Sequence, residues 1–295
     1  KAAIDTHVAG PLSIGVMEAA EAIIRVTNSK MAGAIRLVSI ERGHDPEKFV
    51  AMPFGGGGAL HSGALIKDIG LSKALVPRFP GVTSALGCVI ADMRFDWVHT
   101  LNVSLDDLDL DQLDREMVKT AKDGELRLLA ANVLFEGIEH RFALDMLYLG
   151  QTHTVSVSLP LKILNDETGV NRDLIEAAFK ETYHSAFGRS LDGIAVRILN
   201  LRVAVIGLRP KFDLSFLGPP TTGNLEVARI ESREIWIDGK WHQAEVYRRL
   251  DLPRGTVVPG PALLEQPDTT IYVDPDLEGT VDRFGNFMIS RKDRP

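Results

Sequence analysis

The sequence holds a single cysteine, Cys88, among its 295 residues. One cysteine excludes an intramolecular disulfide, and it also excludes a metal site built from cysteines alone. Cys88 lies in the apolar stretch TSALGCVIAD with no cationic neighbour beside it, so we expect a small buried thiol rather than a reactive one. Such sparing use of cysteine is typical of a reducing compartment, and we expect a cytoplasmic protein.

Long hydrophobic runs and long basic runs are also missing. No stretch of 18 or more apolar residues occurs, so the sequence predicts no membrane-spanning helix. The formal net charge is −7, and without a run of Lys or Arg we expect neither nucleic acid nor membrane as a partner. The first residues have neither an initiator Met nor the layout of a signal peptide. We therefore expect a fragment or processed piece of a longer protein.

What remains is ordinary globular composition, with 45% hydrophobic and 25% charged residues. A chain of this length predicts two or three packed units. Residues 1–95 read as α/β, in the order helix, strand, loop, helix, strand, helix, which favours a parallel pair of strands. The predicted elements are helices over 12–41, 59–69 and 82–91 and strands over 49–54 and 73–77.

After residue 95 the predicted secondary structure changes to a mixed α+β pattern. We predict helices over 111–132 and 171–187, two antiparallel strands around Gly150, and a long strand that ends before Pro210. From Leu225 onward, short strands alternate with turn signals, which indicates a small β-rich module. We therefore predict three domains, 1–95, 96–216 and 225–295, with the stretch 217–224 as the linker.

The stretch FGGGGALH, residues 54–61, has four consecutive glycines between a predicted strand and a predicted helix. A glycine-rich turn at a helix N-terminus presents backbone N–H groups that suit a phosphate. The alternative is a tight packing turn with no ligand. No Gly-Lys-Ser/Thr follows, which excludes a P-loop, and the G-x-G-x-x-G order is missing as well. Spacing alone supports either a phosphate or nucleotide loop or a turn.

Other candidate residues give weaker signals. His140, His153 and His184 are scattered without metal-ligand spacing, so we predict no metal site in this chain. No G-x-S-x-G nucleophile pattern occurs, and the catalytic residues stay unassigned. Ser84 and Gln151 have both ligand-contact and structural interpretations; the structural one, a helix start and a hairpin turn, is favoured for each.

Two long segments point to a family. NSKMAGAIRLVSIERGHDPEKFVAMPFGGGGALHSGALIKDIG and ALVPRFPGVTSALGCVIAD resemble the hydantoinase A / 5-oxoprolinase / acetone carboxylase β-subunit family. The resemblance continues through LYLGQTHTVSV, NLRVAVIG and GPALLEQPDTTIYVDPDLEGTVDRFGNFMI, and so runs almost from end to end. Among the branches, the sequence is most similar to N-methylhydantoinase A-like hydantoin-utilisation proteins.

The resemblance implies a protein more than twice this length with an actin/Hsp70-like (ribonuclease H-like) ATPase core. Such proteins use ATP and a divalent metal such as Mg²⁺ to activate an amide or ketone. This chain lacks the family's N-terminal Asp-x-Gly-Gly-Thr-type loop, so the resemblance makes it the C-terminal portion. Residues 1–95 would be the end of the second ATPase lobe, followed by the α+β extension and the β-rich module.

The implied activity of the full-length protein is ATP-dependent opening of a cyclic amide of the hydantoin or 5-oxoproline type. The fragment alone is expected to be inactive. The alternatives are a non-catalytic module for subunit assembly and an acetone carboxylase-type ATP-dependent subunit. Expected partners are the missing N-terminal lobe, a second hydantoinase subunit or further copies of the chain, and the small cyclic amide.

The family pattern also implies which residues meet the nucleotide. In that fold the glycine turn faces the adenosine side of ATP. Carried over by position, the nucleotide-binding residues are Gly55, Gly56, Gly57, Gly58 and His61. The sequence departs from the pattern at Gly57, where Ala is usual, and at Ala59, where Pro is usual; both changes keep the loop small.

Overall fold

The computed structural model describes residues 1–191, 193–219 and 222–292. The chain divides into two compact units: unit 1 is Lys1–Val89 with Asp213–Pro295, and unit 2 is Ile90–Phe212. The predicted linker, 217–224, includes two residues, 220 and 221, that lie outside the described part. Unit 1 is therefore assembled from both ends of the chain, with unit 2 as the intervening segment.

The helices form where the apolar spacing predicts them, with small shifts at their ends. Short helical turns (Ala2–Ile4, Asp5–Ala9 and Gly10–Leu12) precede the first long helix, and a single turn (Leu225–Ala228) precedes the C-terminal strands. In the described part of the chain, the helices of eight or more residues are α1 (Val16–Val38), α2 (Ser62–Ile69), α3 (Thr83–Ile90), α4 (Leu110–Ala130) and α5 (Arg172–Phe187).

Thirteen strands lie in the described residues, and the first predicted one is short, with two residues. They are β1 (Val50–Ala51), β2 (Lys73–Val76), β3 (Met93–Ser104), β4 (Gly137–Tyr148), β5 (Val155–Leu159), β6 (Val196–Leu208), β7 (Arg229–Ile237), β8 (Lys240–Arg248), β9 (Val257–Pro259), β10 (Ala262–Gln266), β11 (Thr269–Val273), β12 (Leu277–Val281) and β13 (Phe287–Arg291).

The first sheet of unit 1 joins the two ends of the chain, in the order β1-β2-β13-β12-β9. β1 and β2 pair in parallel, as predicted, and β13 pairs antiparallel with β2, so that Ala74 lies opposite Ile289. One buried core contains Ile66 and Val76 from the N-terminal segment together with Phe287 from the C-terminal one. The C-terminal strands thus complete a sheet that the N-terminal segment begins.

The second sheet of unit 1 has the order β11-β10-β8-β7, with β8 and β10 in parallel. Its hairpin β7–β8 turns at Asp238 and Gly239. Both residues have positive φ, 48° and 75°, and this combination is typical of the tight two-residue turns that match strand twist.

Unit 2 is a single antiparallel sheet in the order β3-β6-β4-β5, packed with α4 and α5 around one core. Phe142 and Leu201 from the sheet and Phe179 from α5 are nearly inaccessible to solvent in that core. The strand β3 was not predicted. Its inward residues alternate with polar ones and are only half-buried, so its pattern is weaker than that of β6.

The expectation that Cys88 is buried is wrong. Cys88 is exposed, because α3, on which it lies, buries none of its side chains against the described residues. On α1 the buried positions are the small Ala19, Asn28 and Ala32, whereas the apolar Ile24 is exposed. Apolar periodicity indicates a helix, but it does not show which surface covers the apolar face.

Candidate functional site

The glycine loop connects β1 to a 3₁₀ turn, Gly58–His61, which leads directly into α2. It lies at the carboxyl end of β1, beside the loop that follows the carboxyl end of β2. The Gly55 N–H donates to the Pro80 carbonyl at 2.7 Å and so joins the two loops. Ligands of open α/β sheets bind at the carboxyl ends of parallel strands, and these two loops occupy that edge.

The glycines in this loop have different roles. Gly55 has φ +80°, a conformation that other residues rarely adopt. Gly57 has φ −104°, which any residue tolerates, and a Cβ placed on it would meet no atom within 4 Å. Its missing side chain therefore leaves open space beside the loop rather than satisfying a backbone requirement. Open space against exposed backbone is what a nucleotide loop needs.

A turn in the C-terminal segment holds both loops. Thr269 Oγ1 donates to the Gly56 carbonyl at 2.9 Å. One residue earlier, Asp268 Oδ2 accepts the Gly81 N–H at 2.8 Å. A Cβ on Gly56 would lie 3.2 Å from the Asp268 carbonyl, so this glycine permits the close approach. Contacts more than 180 residues apart in sequence therefore set the position of the loop.

Arg249 holds the neighbouring loop from inside the core. It is 4% exposed and donates to the carbonyls of Val76 at 3.2 Å, Pro77 at 3.1 Å and Gly285 at 3.1 Å. Burial, together with the nearby Arg78 charge, lowers the pKa of Arg249 to about 10. Because a buried unpaired cation is costly, these carbonyls are the compensating partners, and the end of β2 is fixed by them.

His61 is separate from the glycines. Its Nδ1 lies 2.7 Å from Asn28 Oδ1 on α1, in hydrogen-bond contact. It lines a cavity of about 880 Å³ between α1, α2 and the hairpin β7–β8. That lining includes none of the residues from Gly55 to Gly58. The four glycines thus lie together in one loop, whereas His61 lines a cavity that the glycines do not line.

Sequence reasoning missed the residues that hold the loops: Arg249, Asp268 and Thr269. The segment that contains the last two, EQPDTT, belongs to a stretch with family resemblance. That resemblance was the only available signal, since neither spacing nor composition shows that a turn near residue 268 touches a loop near residue 56.

Gln151 lies in the connection between β4 and β5. Gln151 Nε2 donates to the Tyr183 hydroxyl at 2.6 Å, and its Oε1 accepts the Tyr148 N–H. It therefore joins the β4–β5 connection to Tyr183 on α5, as the structural interpretation predicts.

Within the described ranges, no three His, Cys, Asp or Glu side chains gather as a metal site. Over the same ranges, no helix is both long and apolar enough to cross a membrane.

Two family models match the chain. The hydantoinase/oxoprolinase model matches residues 1–97, and the hydantoinase/oxoprolinase C-terminal domain matches residues 116–291. The second match alone covers more than half of the sequence.

Individual relatives agree with the models. Caprolactamase subunit alpha of Pseudomonas jessenii is 30% identical over 98% of this chain and 42% of its own length. The acetone carboxylase beta subunit of Xanthobacter autotrophicus is 27% identical over 93% and 39%. The crystal structure of the ATP-dependent caprolactamase from P. jessenii matches with a TM-score of 0.73 and 28% identity, over 99% of this chain and 43% of that one. The chain thus spans about two fifths of these relatives.

Proposed function

We propose, since the chain belongs to the hydantoinase/oxoprolinase family, that it is the C-terminal portion of an ATP-dependent hydrolase that opens a cyclic amide of the hydantoin or 5-oxoproline type. The observation that carries the proposal is the open glycine loop at the carboxyl ends of β1 and β2, within the family-matched residues 1–97. The relative from P. jessenii is named an ATP-dependent caprolactamase, and a lactam is a cyclic amide.

In this proposal, residues 1–95 are the end of the second lobe of an actin/Hsp70-like ATPase core. The loop Gly55–Gly58 forms one wall of the nucleotide cleft. The open side of Gly57 admits the ligand, and the hydrogen bond from Thr269 keeps the loop backbone in place. ATP, when bound, would activate the amide oxygen so that water can attack the amide carbon.

The divalent metal and the catalytic groups are assigned to the part of the protein that precedes this sequence. This chain is proposed to contact the adenosine side of ATP. Residues 96–216 are proposed as the extension and 225–295 as the β-rich module. Asp268 and Thr269 of that module hold the glycine loop and its neighbour. A second subunit or another copy of the chain is the proposed partner, because relatives are named as alpha and beta subunits.

The test is ATP-dependent turnover by the full-length protein with its partner subunit. Hydantoin, 5-oxoproline and caprolactam are offered separately, and ring-opened product and ADP are both measured. The proposal predicts product formation with ATP consumption for at least one of these amides, and none from residues 1–295 alone.

Two other outcomes would overturn the proposal. Carboxylation of a ketone with no amide hydrolysis would assign the chain to the acetone carboxylase-type subunits. Loss of subunit assembly with unchanged nucleotide binding, in a glycine-loop variant, would favour a structural assembly module.

A further inference from the structure

The cavity beside His61 has the size of a small-molecule binding site. Its volume, about 880 Å³, falls in the range of small-molecule sites. Helices α1 and α2 form one side, and the hairpin β7–β8 with β10 and β11 forms the other. All of these elements belong to unit 1.

An anchored aromatic pair forms the hairpin wall. The rings of Trp236 and Trp241 meet edge to face, with centroids 5.4 Å apart. Glu21 on α1 accepts the Trp236 Nε1–H at 3.0 Å and the Asp238 N–H at 2.9 Å. It also pairs with Arg25 at 2.7 Å. Because one carboxylate binds the hairpin at several points, the aromatic faces are held in position before any ligand arrives.

The rest of the wall carries charged groups rather than free polar ones. Asp274, which follows β11, pairs with Lys67 at 2.7 Å. The Tyr272 hydroxyl is shielded from solvent, so it offers no hydrogen bond to a ligand in the cavity.

The charge of the lining decides which ligand fits. Five carboxylates line the cavity against two cationic side chains, Arg25 and Lys67. The carboxylates are Glu21, Asp68, Glu234, Asp238 and Asp274. Such an excess of negative charge opposes phosphates and carboxylates and attracts cations. Tryptophan faces attract cations as well, through the quadrupole of the ring.

We propose that this cavity binds a small organic cation, an ammonium group on an apolar body, which packs against Trp236 and Trp241 among the carboxylates of the lining. This site goes beyond the proposed function. It shares no lining residue with the glycine loop and does not depend on nucleotide binding there.

The test is isothermal titration of the full-length protein, in a buffer free of amines, with three matched probes. These are 2-phenylethylammonium, neutral 2-phenylethanol and anionic 3-phenylpropionate. We expect saturable binding of the ammonium probe, about tenfold tighter than the alcohol, and no measurable binding of the carboxylate. Equal affinities for all three probes, or no saturable binding of the ammonium, would overturn the proposal; the latter is expected if another polypeptide segment fills the cavity.

Two variants locate the binding. Trp241→Ala removes a side chain that is 53% exposed, so the fold is retained, and ammonium affinity should fall about tenfold. Glu234→Gln removes one carboxylate of the lining at an exposed position and should lower the affinity roughly threefold. Phe187→Ala, an aromatic of 54% exposure in unit 2, is the matched control and should change nothing. Unchanged affinity in both cavity variants would contradict the assignment.

Discussion

The hydroxyl of Thr269 fixes the position of the glycine loop, which has no side chains of its own to hold it. Glycine loses the most conformational freedom on folding, and the Gly56 carbonyl is held by a hydrogen bond from a turn 213 residues away. The neighbouring loop is held in the same manner by Asp268 and Arg249. The position of the glycine loop therefore depends on side chains that are distant in sequence.

This dependence predicts an effect on nucleotide affinity, on the premise that the loop binds ATP. Thr269→Val keeps the shape and removes the hydrogen bond, so ATP affinity of the full-length protein should fall roughly threefold to tenfold. Thr269→Ser restores the donor and should recover affinity. Thr270→Val, one residue along and half-buried, is the control in the same titration. If the Val and Ser variants at position 269 bind ATP equally well, the hydroxyl does not position the loop.

Gly63 on α2 predicts a stability effect. A Cβ there would overlap the Asp274 carboxylate, so Gly63→Ala should lower the free energy of unfolding by about 1–3 kcal/mol even though Ala is the better helix former. Gly33→Ala on α1 has open space around it and should instead add up to about 1 kcal/mol. Urea unfolding of both variants tests the pair, and a stabilised Gly63→Ala would show that the helix is not pressed against Asp274.

In unit 2, Asp145 predicts a dependence of stability on pH. Burial raises its pKa, but hydrogen bonds from Arg202 at 2.8 Å and Asn200 at 2.9 Å outweigh burial and lower the pKa below its usual value. A carboxylate with a depressed folded-state pKa stabilises the fold above its unfolded pKa of about 3.9. That stabilisation is lost as the pH falls through the folded-state pKa.

We therefore expect Asp145→Asn to lower Tm at pH 7. The gap from wild type should narrow as the pH falls below about 4. Thermal unfolding followed by circular dichroism between pH 7 and pH 3 measures this gap. Asp96→Asn, at an exposed position paired with Arg94, is the control and should change Tm little. A gap that stays constant down to pH 3 would rule out the depressed pKa.

Elements follow local sequence closely, whereas their partners do not. The helix predicted over 171–187 forms as α5, and the Asn171 side chain at its start accepts the Leu174 N–H. The parallel pair β1–β2 follows from the strand–helix–strand order. The pairing of β2 with β13 was not predicted, because no local pattern shows that two strands more than 200 residues apart in sequence lie side by side.

The same limit applies to the candidate site. Four glycines in a row are visible in the sequence, but the side chains that hold them are distant and individually unremarkable in type. His61 shows the converse. It is adjacent to the loop in sequence, yet its side chain contacts Asn28 and lines a different cavity.

The hairpin β7–β8 is anchored to α1 through Glu21. Glu21 accepts the N–H groups of both turn residues, Asp238 and Gly239. Glu21→Ala should therefore speed amide hydrogen exchange over residues 236–241, because the hairpin loses its anchor on α1. Glu18→Ala, an exposed position one turn earlier on the same helix, is the control. Exchange that is equal in both variants would mean that the hairpin holds its place without Glu21.

At the scale of the whole molecule, unit 1 is built from the first and last segments of the chain. The shared sheet and the shared core make the glycine loop a product of both. The family models divide the chain at about residue 100, but the residues that support the loop lie on the far side of that division. The C-terminal segment is thus part of the candidate nucleotide site and not only an appendage to it.

The most direct measurement is ATP affinity of full-length Gly57→Val by isothermal titration, beside Gly33→Val as the matched control. Both glycines have open space around them, so neither substitution should change Tm by more than a few degrees. If the loop lines the nucleotide cleft, Gly57→Val binds ATP at least about tenfold more weakly and Gly33→Val binds as the wild type does. Equal ATP affinity in the two variants, with both correctly folded, would contradict the account.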